Sequence, residues 1–347
     1  MKITALLGAV SISAIATAAI AQDTDLLVFD YSGFEEPQHH GEYIAKHGDS
    51  PSFAFFGDED EAFQKIRAGF EADVAHICAG SVTKWVESGI LEAWDTSKIT
   101  YFADLDSNLT GTDVAAGAEA YFIPTDFGST AIAYNPEEVP AEDVASLNVF
   151  KNPKYAGRMS LPDNVDDAYA LAYLATGVTN WQNASDAEFE AASNWLREVH
   201  PNLRTYWADA AELAQLMSTG EILVSWAWNE TYPTMLEEGR PIAYEREAVE
   251  GSSLWLCGYV NLASGPGVED KAYDYLNAFL APDNVLPLLD SGYGSANKTA
   301  LNAQVSAEDL VIAGLEPIDV PVLAQLPMSN DLRERQVETF ELIKAGF

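Results

Sequence analysis

Positive charge is scarce in this chain. Eighteen lysines and arginines stand against 54 aspartates and glutamates, a formal net charge of −36 over 347 residues. With no basic footprint to neutralise a phosphate backbone, nucleic acid is excluded as a partner. An anionic membrane surface would repel such a chain as well. Cysteine is nearly absent: Cys78 and Cys257 are the two present, with no Cys-x-x-Cys to suggest a zinc or redox framework. Histidine is also sparse. His39, His40 and His47 lie in a polar stretch without metal-ligand spacing and read as a solvated loop. His76, inside an apolar run, reads as a satisfied core histidine. The acids Asp58, Glu59 and Asp60 lack EF-hand spacing and suit the start of a helix. There is no Gly-x-Ser-x-Gly elbow and no phosphate-cradling glycine loop followed by lysine. An enzyme has no positive support, and neither metal nor cofactor is expected.

Long hydrophobic runs are missing after residue 21. Before it, Lys2, the apolar residues 6–20 and Ala19-Ile20-Ala21 ahead of Gln22 have the form of a cleavable signal peptide over residues 1–21. That run is too short and interrupted for a confident membrane span. The expectation is an exported, periplasmic monomer. In such an oxidising compartment an even pair of cysteines is a disulfide candidate.

What the chain does have is 48% hydrophobic residues, enough for a large core in one or two domains. Strand-like runs alternate with helical patterns, which indicates α/β architecture with a largely parallel sheet. Residues 26–29, 51–56 and 73–78 read as strands, with helices over 61–68 and through Trp85 to Ser88. Residues 121–124 and 129–134 are extended, broken by Thr125-Asp126-Phe127-Gly128. A second unit follows, with a strand at 158–161, a turn at Pro162-Asp163-Asn164, and helices over 165–176, 186–199 and 208–218. Strand-like 241–245 and 253–262, a helix over 270–280 and a last helix over 331–343 complete the chain.

Residues 220–231, GEILVSWAWNET, pair a glycine stop with an apolar run and read as a buried strand. Trp226 and Trp228 end it, where open α/β sheets bind ligands. Tryptophans also plug cores, and the residues alone leave both roles open. Other aromatics recur at strand ends: Tyr31, Phe34, Phe127, Trp255 and Tyr293. Asp126, Asp163, Asp167 and Glu230 lie beside them in sequence. Aromatic faces attract cations, so an aromatic box with acids describes a site for an organic amine or ammonium.

Taken in order, several segments resemble the periplasmic solute-binding proteins of ABC importers, in particular their spermidine/putrescine-binding branch. They are IPTDFGSTAIAYN (123–135), FKNPKYAGRMSLPDN (150–164), EGSSLWLCGYVNLA (250–263), AYDYLNAFLAPDN (272–284) and SGYGSAN (291–297). The resemblance implies an α/β, two-lobed periplasmic binding protein of type II, a Venus flytrap with crossover strands between its lobes. Lobe 1 would comprise residues 22–126 and 248–302, lobe 2 residues 127–247, with 303–347 packing on both. The implied ligand is a small cation, by family a polyamine, handed to permease subunits in the inner membrane.

The expected aromatic box is Tyr31, Phe127, Trp228, Trp255 and Tyr293, with charge from Asp163 and Asp167, which the resemblance matches to family acids, and from Asp126, an extra acid in the crossover. Ser32, Phe34, Trp226 and Glu230 join the candidate set. Several family acids are replaced. Tyr31-Ser32-Gly33-Phe34 and Trp255-Leu256-Cys257 lack theirs, and in Trp228-Asn229-Glu230-Thr231 the acid is displaced by one. A two-residue slip would use Trp226 instead and put Asn229 at the acid. These losses leave an alternative ligand: a monoamine, a quaternary ammonium or a betaine-like zwitterion. Cys78 and Cys257 match family positions in pocket-edge loops of one lobe, which makes their disulfide plausible.

Overall fold

Apolar runs too short for helices build the sheet on which everything else is arranged. The computed structural model describes residues 22–110 and 119–347, so the signal-peptide reading of residues 1–21 lies outside it. In chain order the strands are β1 (Gln22–Asp30), β2 (Ser50–Phe55), β3 (Val74–Cys78), β4 (Leu91–Glu92), β5 (Phe122–Tyr134) and β6 (Met159–Pro162). They continue as β7 (Leu203–Trp207), β8 (Val224–Trp228), β9 (Ala243–Glu245), β10 (Ser252–Leu262), β11 (Gly294–Ser295) and β12 (Val322–Ala324).

The sheet runs β2-β1-β3-β10-β5-β8-β6-β7. At one end β1 pairs parallel with β2 and β3; at the other β6 pairs parallel with β7 and β8. Between them β10 and β5 run antiparallel to each other and to β3 and β8. The sheet is therefore mixed, not largely parallel. Two parallel α/β units are joined by a pair of long strands that carry the chain out and back, and such a pair must run in opposite directions. The break expected at Thr125-Asp126-Phe127-Gly128 is absent. β5 is continuous through it, with a register shift against β10 between Cys257 and Gly258.

The buried side chains divide accordingly. Leu26, Val28, Tyr43, Val74, Tyr259, Leu276 and Phe279 share one apolar cluster, beside another built on Phe29, Ile77, Trp85 and Leu256. The second unit packs Phe150, Tyr169, Tyr173, Trp195, Leu196 and Trp226 together. The last helix, Asn330–Lys344, closes that cluster with Leu332, Phe340 and Ile343, while β12 pairs with β10.

His39 and His40 are not in a solvated loop. A 3₁₀ turn at Pro37–His40 leads into the helix Gly41–His47, and both rings are buried. His39 Nδ1 meets Asn284 Oδ1 at 3.0 Å and His40 Nε2 meets Ser50 Oγ at 2.9 Å. β7 was not foreseen: LRTYW places Arg204 and Thr205 on a half-exposed sheet edge, which dilutes its apolar pattern. Cys78 and Cys257 are bonded, and they sit on neighbouring strands as register partners of β3 and β10 rather than in loops. Among the described residues, no helix is long and apolar enough to cross a membrane.

Candidate functional site

A cleft of about 500 Å³ opens between the two units, at the strand ends flanking β5 and β10. Tyr31, Phe34, Phe56, Trp228, Trp255 and Tyr293 supply its aromatic walls. Eight carboxylates line it: Asp58, Glu59, Asp126, Asp163, Asp166, Asp167, Asp209 and Glu230. The imidazole of His76 is the one basic side chain in that lining. Such a surface favours a cation with an apolar body.

Of the twelve expected binding residues, the cleft brings together Tyr31, Ser32, Phe34, Asp126, Asp163, Asp167, Trp228, Glu230, Trp255 and Tyr293. Two lie elsewhere. Trp226 is wholly buried in the core of the second unit. Successive strand residues point to opposite faces, so Trp226 and Trp228 share a face but not a depth: Trp228 ends β8 at the cleft, one turn of the pleat nearer its mouth. Phe127 is turned from the cleft by the same alternation, because its neighbour Asp126 points in. Its ring lies against Gly294, where any Cβ would overlap it.

Polar contacts hold some of these walls and ring packing holds the others. Trp228 Nε1 donates to Asp167 Oδ2 at 2.7 Å, and its ring meets Trp207 edge-on at 4.6 Å. Asp167 Oδ1 accepts from Thr130 Oγ1 at 2.7 Å and Gln325 Nε2 at 3.0 Å. Asp167 thus accepts three neutral donors, which leaves acceptor capacity on its oxygens, and burial raises its pKa. It fixes the indole of Trp228 at the cleft wall. Trp255 lies over Gly128, where a Cβ would strike the indole ring. Phe34 stacks on Tyr293 at 5.0 Å, and Tyr31 meets Phe56 edge-on at 4.5 Å.

His76 connects two carboxylates. Its Nδ1 meets Asp30 Oδ1 at 2.8 Å and its Nε2 meets Asp126 Oδ1 at 2.9 Å, all three groups being fully buried. Burial alone would depress this histidine, but the charges of Asp126 and Asp30 overcome it and push the pKa up to about 10. The ring is a satisfied core histidine and a cation at once. Asp126 Oδ2 has no partner and belongs to a cleft-lining residue. It is a carboxylate oxygen offered to a donor.

Glu230 is pushed up to about 7 by burial, against the opposing effect of its hydrogen bond from Tyr293. Gly292, at φ +90°, lets the tyrosine turn close on the Glu230 backbone. Asn229 does not face the cleft. Its Nδ2 donates to the carbonyls of Gly292 and Ala313 while its Oδ1 accepts from Ser129 N, clipping β8, the tyrosine turn and the C-terminal segment together. Asp163 sits at the rim, paired with Lys344 at 2.6 Å.

Sequence reading missed Phe56, Asp58, Glu59, His76, Asp166, Asp209 and Gln325 as cleft residues. Phe56 carried the signal used for the others, an aromatic at a strand end. Asp58 does cap its helix, accepting from Glu61 N at 2.8 Å. Yet Glu59 turns inward, taking Tyr31 Oη and Cys78 N at 3.0 Å each. Burial and then the charge of Asp166 raise Glu59 to about 7. Asp209 caps the helix Ala210–Ser218 just past the unforeseen β7.

Residues 54–312 match the family profile of bacterial extracellular solute-binding proteins. The spermidine/putrescine-binding periplasmic protein of Escherichia coli K12 is 25% identical over 289 residues, covering 82% of this chain and 81% of that one. A putrescine/agmatine-binding protein of Pseudomonas aeruginosa is 24% identical over 306 residues, covering 82% of each. The fold is similar to that of the substrate-binding protein of a spermidine/putrescine ABC transporter from Streptococcus pneumoniae. That likeness has a TM-score of 0.73 at 18% identity, over 93% of this chain and 99% of the other.

Proposed function

The chain belongs to the family of bacterial extracellular solute-binding proteins, and from that premise we propose that it carries a polyamine of the spermidine or putrescine type to the permease of an ABC importer. The observation that carries this reading is the cleft: six aromatic walls, eight carboxylates and no lysine or arginine in the lining. Ammonium groups would pair with Asp126, Asp167 and Glu230, and the methylene chain would lie against Trp228, Trp255 and Tyr293. Residues 22–126 with 248–302 would form one lobe and 127–247 the other, with 303–347 packed on them. Closure would hinge on β5 and β10, the strands that join them. Export through a signal peptide, a periplasmic site of action and a monomeric state complete the proposal.

A monoamine or betaine-like ligand is not favoured. Its premise was a loss of carboxylates, whereas Asp126 and Glu230 stand in the cleft together with Glu59 and Asp166, which lay outside the expected set. The named relatives bind polyamines. A thermal-shift panel of putrescine, spermidine, choline and glycine betaine tests this. A ligand at a hundredfold over its Kd stabilises by about 2.7 kcal/mol, so only the polyamines are expected to raise Tm clearly. A shift with betaine or choline alone would reject the proposal.

Binding is also expected to release protons near neutrality. Glu230 has its pKa raised to about 7 by burial, and an ammonium beside it favours the charged form. Affinity should therefore rise between about pH 6 and 8, where this carboxyl ionises. Titration calorimetry in two buffers of different ionisation enthalpy measures the release, and Glu230→Gln should abolish it.

A further inference from the structure

We propose that Arg333 sets the length of ligand the cleft accepts, acting as a built-in cation that occupies the carboxylates at one end. The inference rests on the polyamine reading above and names the class it selects: a short diamine over a longer triamine. Arg333 lies on the helix Asn330–Lys344, beyond the residues that match the family profile. Its side chain is 3% exposed. The guanidinium reaches Asp60 Oδ2 at 3.0 Å, Glu59 Oε2 at 3.6 Å and Asp166 Oδ1 at 3.6 Å. Glu59 and Asp166 come from opposite sides of the cleft and both line it.

Only the contact with Asp60 is a hydrogen bond. Arg333 Nε and Asp166 Oδ1 are buried and have no hydrogen-bond partner. At 3.6 Å the arginine neutralises these acids without saturating them, so a mobile ammonium would bind them well if the guanidinium were gone. A second cavity, about 210 Å³, lies on the helix side and shares Asp58, Glu59, Asp163 and Asn164 with the cleft. Arg333 lines that cavity and not the cleft, which places it in the partition between the two.

The charges divide the same way. Glu59, Asp60 and Asp166 face Arg333 and Lys84, the latter 2.5 Å from Asp60, so most of this end is already compensated. Asp126, Asp167 and Glu230, near the tryptophans and Tyr293, have between them only His76, which is shared with Asp30. Two ammonium groups of a short diamine suit that end. The third ammonium of a triamine would meet Arg333.

Calorimetric Kd values for putrescine and spermidine test this on the full chain. The wild type is expected to favour putrescine by about tenfold or more, the effect of one close charge pair. In Arg333→Gln, folded by circular dichroism, that ratio should fall at least about tenfold as Glu59 and Asp166 become available. The charge-balanced Arg333→Met/Asp60→Asn variant frees Glu59 and Asp166 in the same way and should lose the preference too, so it carries the comparison if Arg333→Gln does not fold. A wild type that prefers spermidine, or an unchanged ratio in whichever of these variants folds, overturns the inference. Absence of binding by either amine to the wild type removes the functional reading and this inference with it.

Discussion

Replacing Trp228 with alanine is expected to weaken polyamine binding by about 2–4 kcal/mol, roughly 30- to 1000-fold, while the ligand-free fold survives. The substitution removes the aromatic face on which the methylene chain and ammonium would rest. It also leaves Asp167 Oδ2 without its donor. Trp226→Ala, two residues earlier, should do the opposite. Trp226 is fully buried among Tyr169, Trp195 and Leu196 in the second core, and loss of such a side chain costs about 3–5 kcal/mol of stability. The affinity of the folded fraction should change little. Urea denaturation and calorimetry on both variants separate the two roles. Equal losses of affinity, or a stability loss confined to Trp228→Ala, would show that the strand had been read in the wrong register.

His76→Leu is expected to destabilise the protein by about 3–5 kcal/mol, because it strands two buried carboxylates that the imidazolium now pairs. Asp30 would keep Tyr259 Oη at 2.7 Å and Asp126 would keep Thr125 Oγ1 at 2.7 Å, neither of which carries positive charge. The same triad makes stability depend on pH. A histidine whose pKa rises from 6.5 in the unfolded chain to about 10 in the folded one contributes stability that is complete below about pH 6.5 and is lost as pH rises through about 10. Glu59 and Glu230, raised from 4.5 to about 7, act in the same direction between those values. Folding prefers their protonated forms, so their contribution is also lost as pH rises. The ligand-free protein should therefore be more stable at pH 6 than at pH 9, by roughly a few kcal/mol. Chemical denaturation across that range measures it. In His76→Leu the part of the slope above pH 7 should vanish, and a wild type with no decline there would contradict the charged triad.

His76 illustrates why the site was only partly legible. An apolar strand told correctly that the ring is buried, and nothing local could reveal Asp30 and Asp126 on the two sides of it. They arrive from β1 and β5, 46 and 50 residues away. Glu59 shows the complementary limit. Helix-start chemistry accounted for Asp58, its capping neighbour, and gave Glu59 the same helix-start role. Tyr31, Cys78 N and Arg333 turn it inward instead. Arg333 itself had no signal in the sequence, since an arginine on an amphipathic helix ordinarily faces water. Gly128 and Gly292 were unremarkable letters until Trp255 and Glu230 were seen lying against them.

By itself the sequence determined the class of element along most of the chain, the aromatic and acidic character of the site, and the family resemblance. These follow from local periodicity, composition and charge, quantities that neighbouring residues carry among themselves. Only the tertiary structure decided that Trp228 and not Trp226 reaches the cleft and that Phe127 turns away. It alone decided that Cys78 meets Cys257 across paired strands, and that a C-terminal arginine crosses to the acids of both lobes. Each of these depends on register and on contacts between distant segments. A shift of one residue along a strand reverses which face a side chain occupies, and burial then decides whether a charge is solvated or paired.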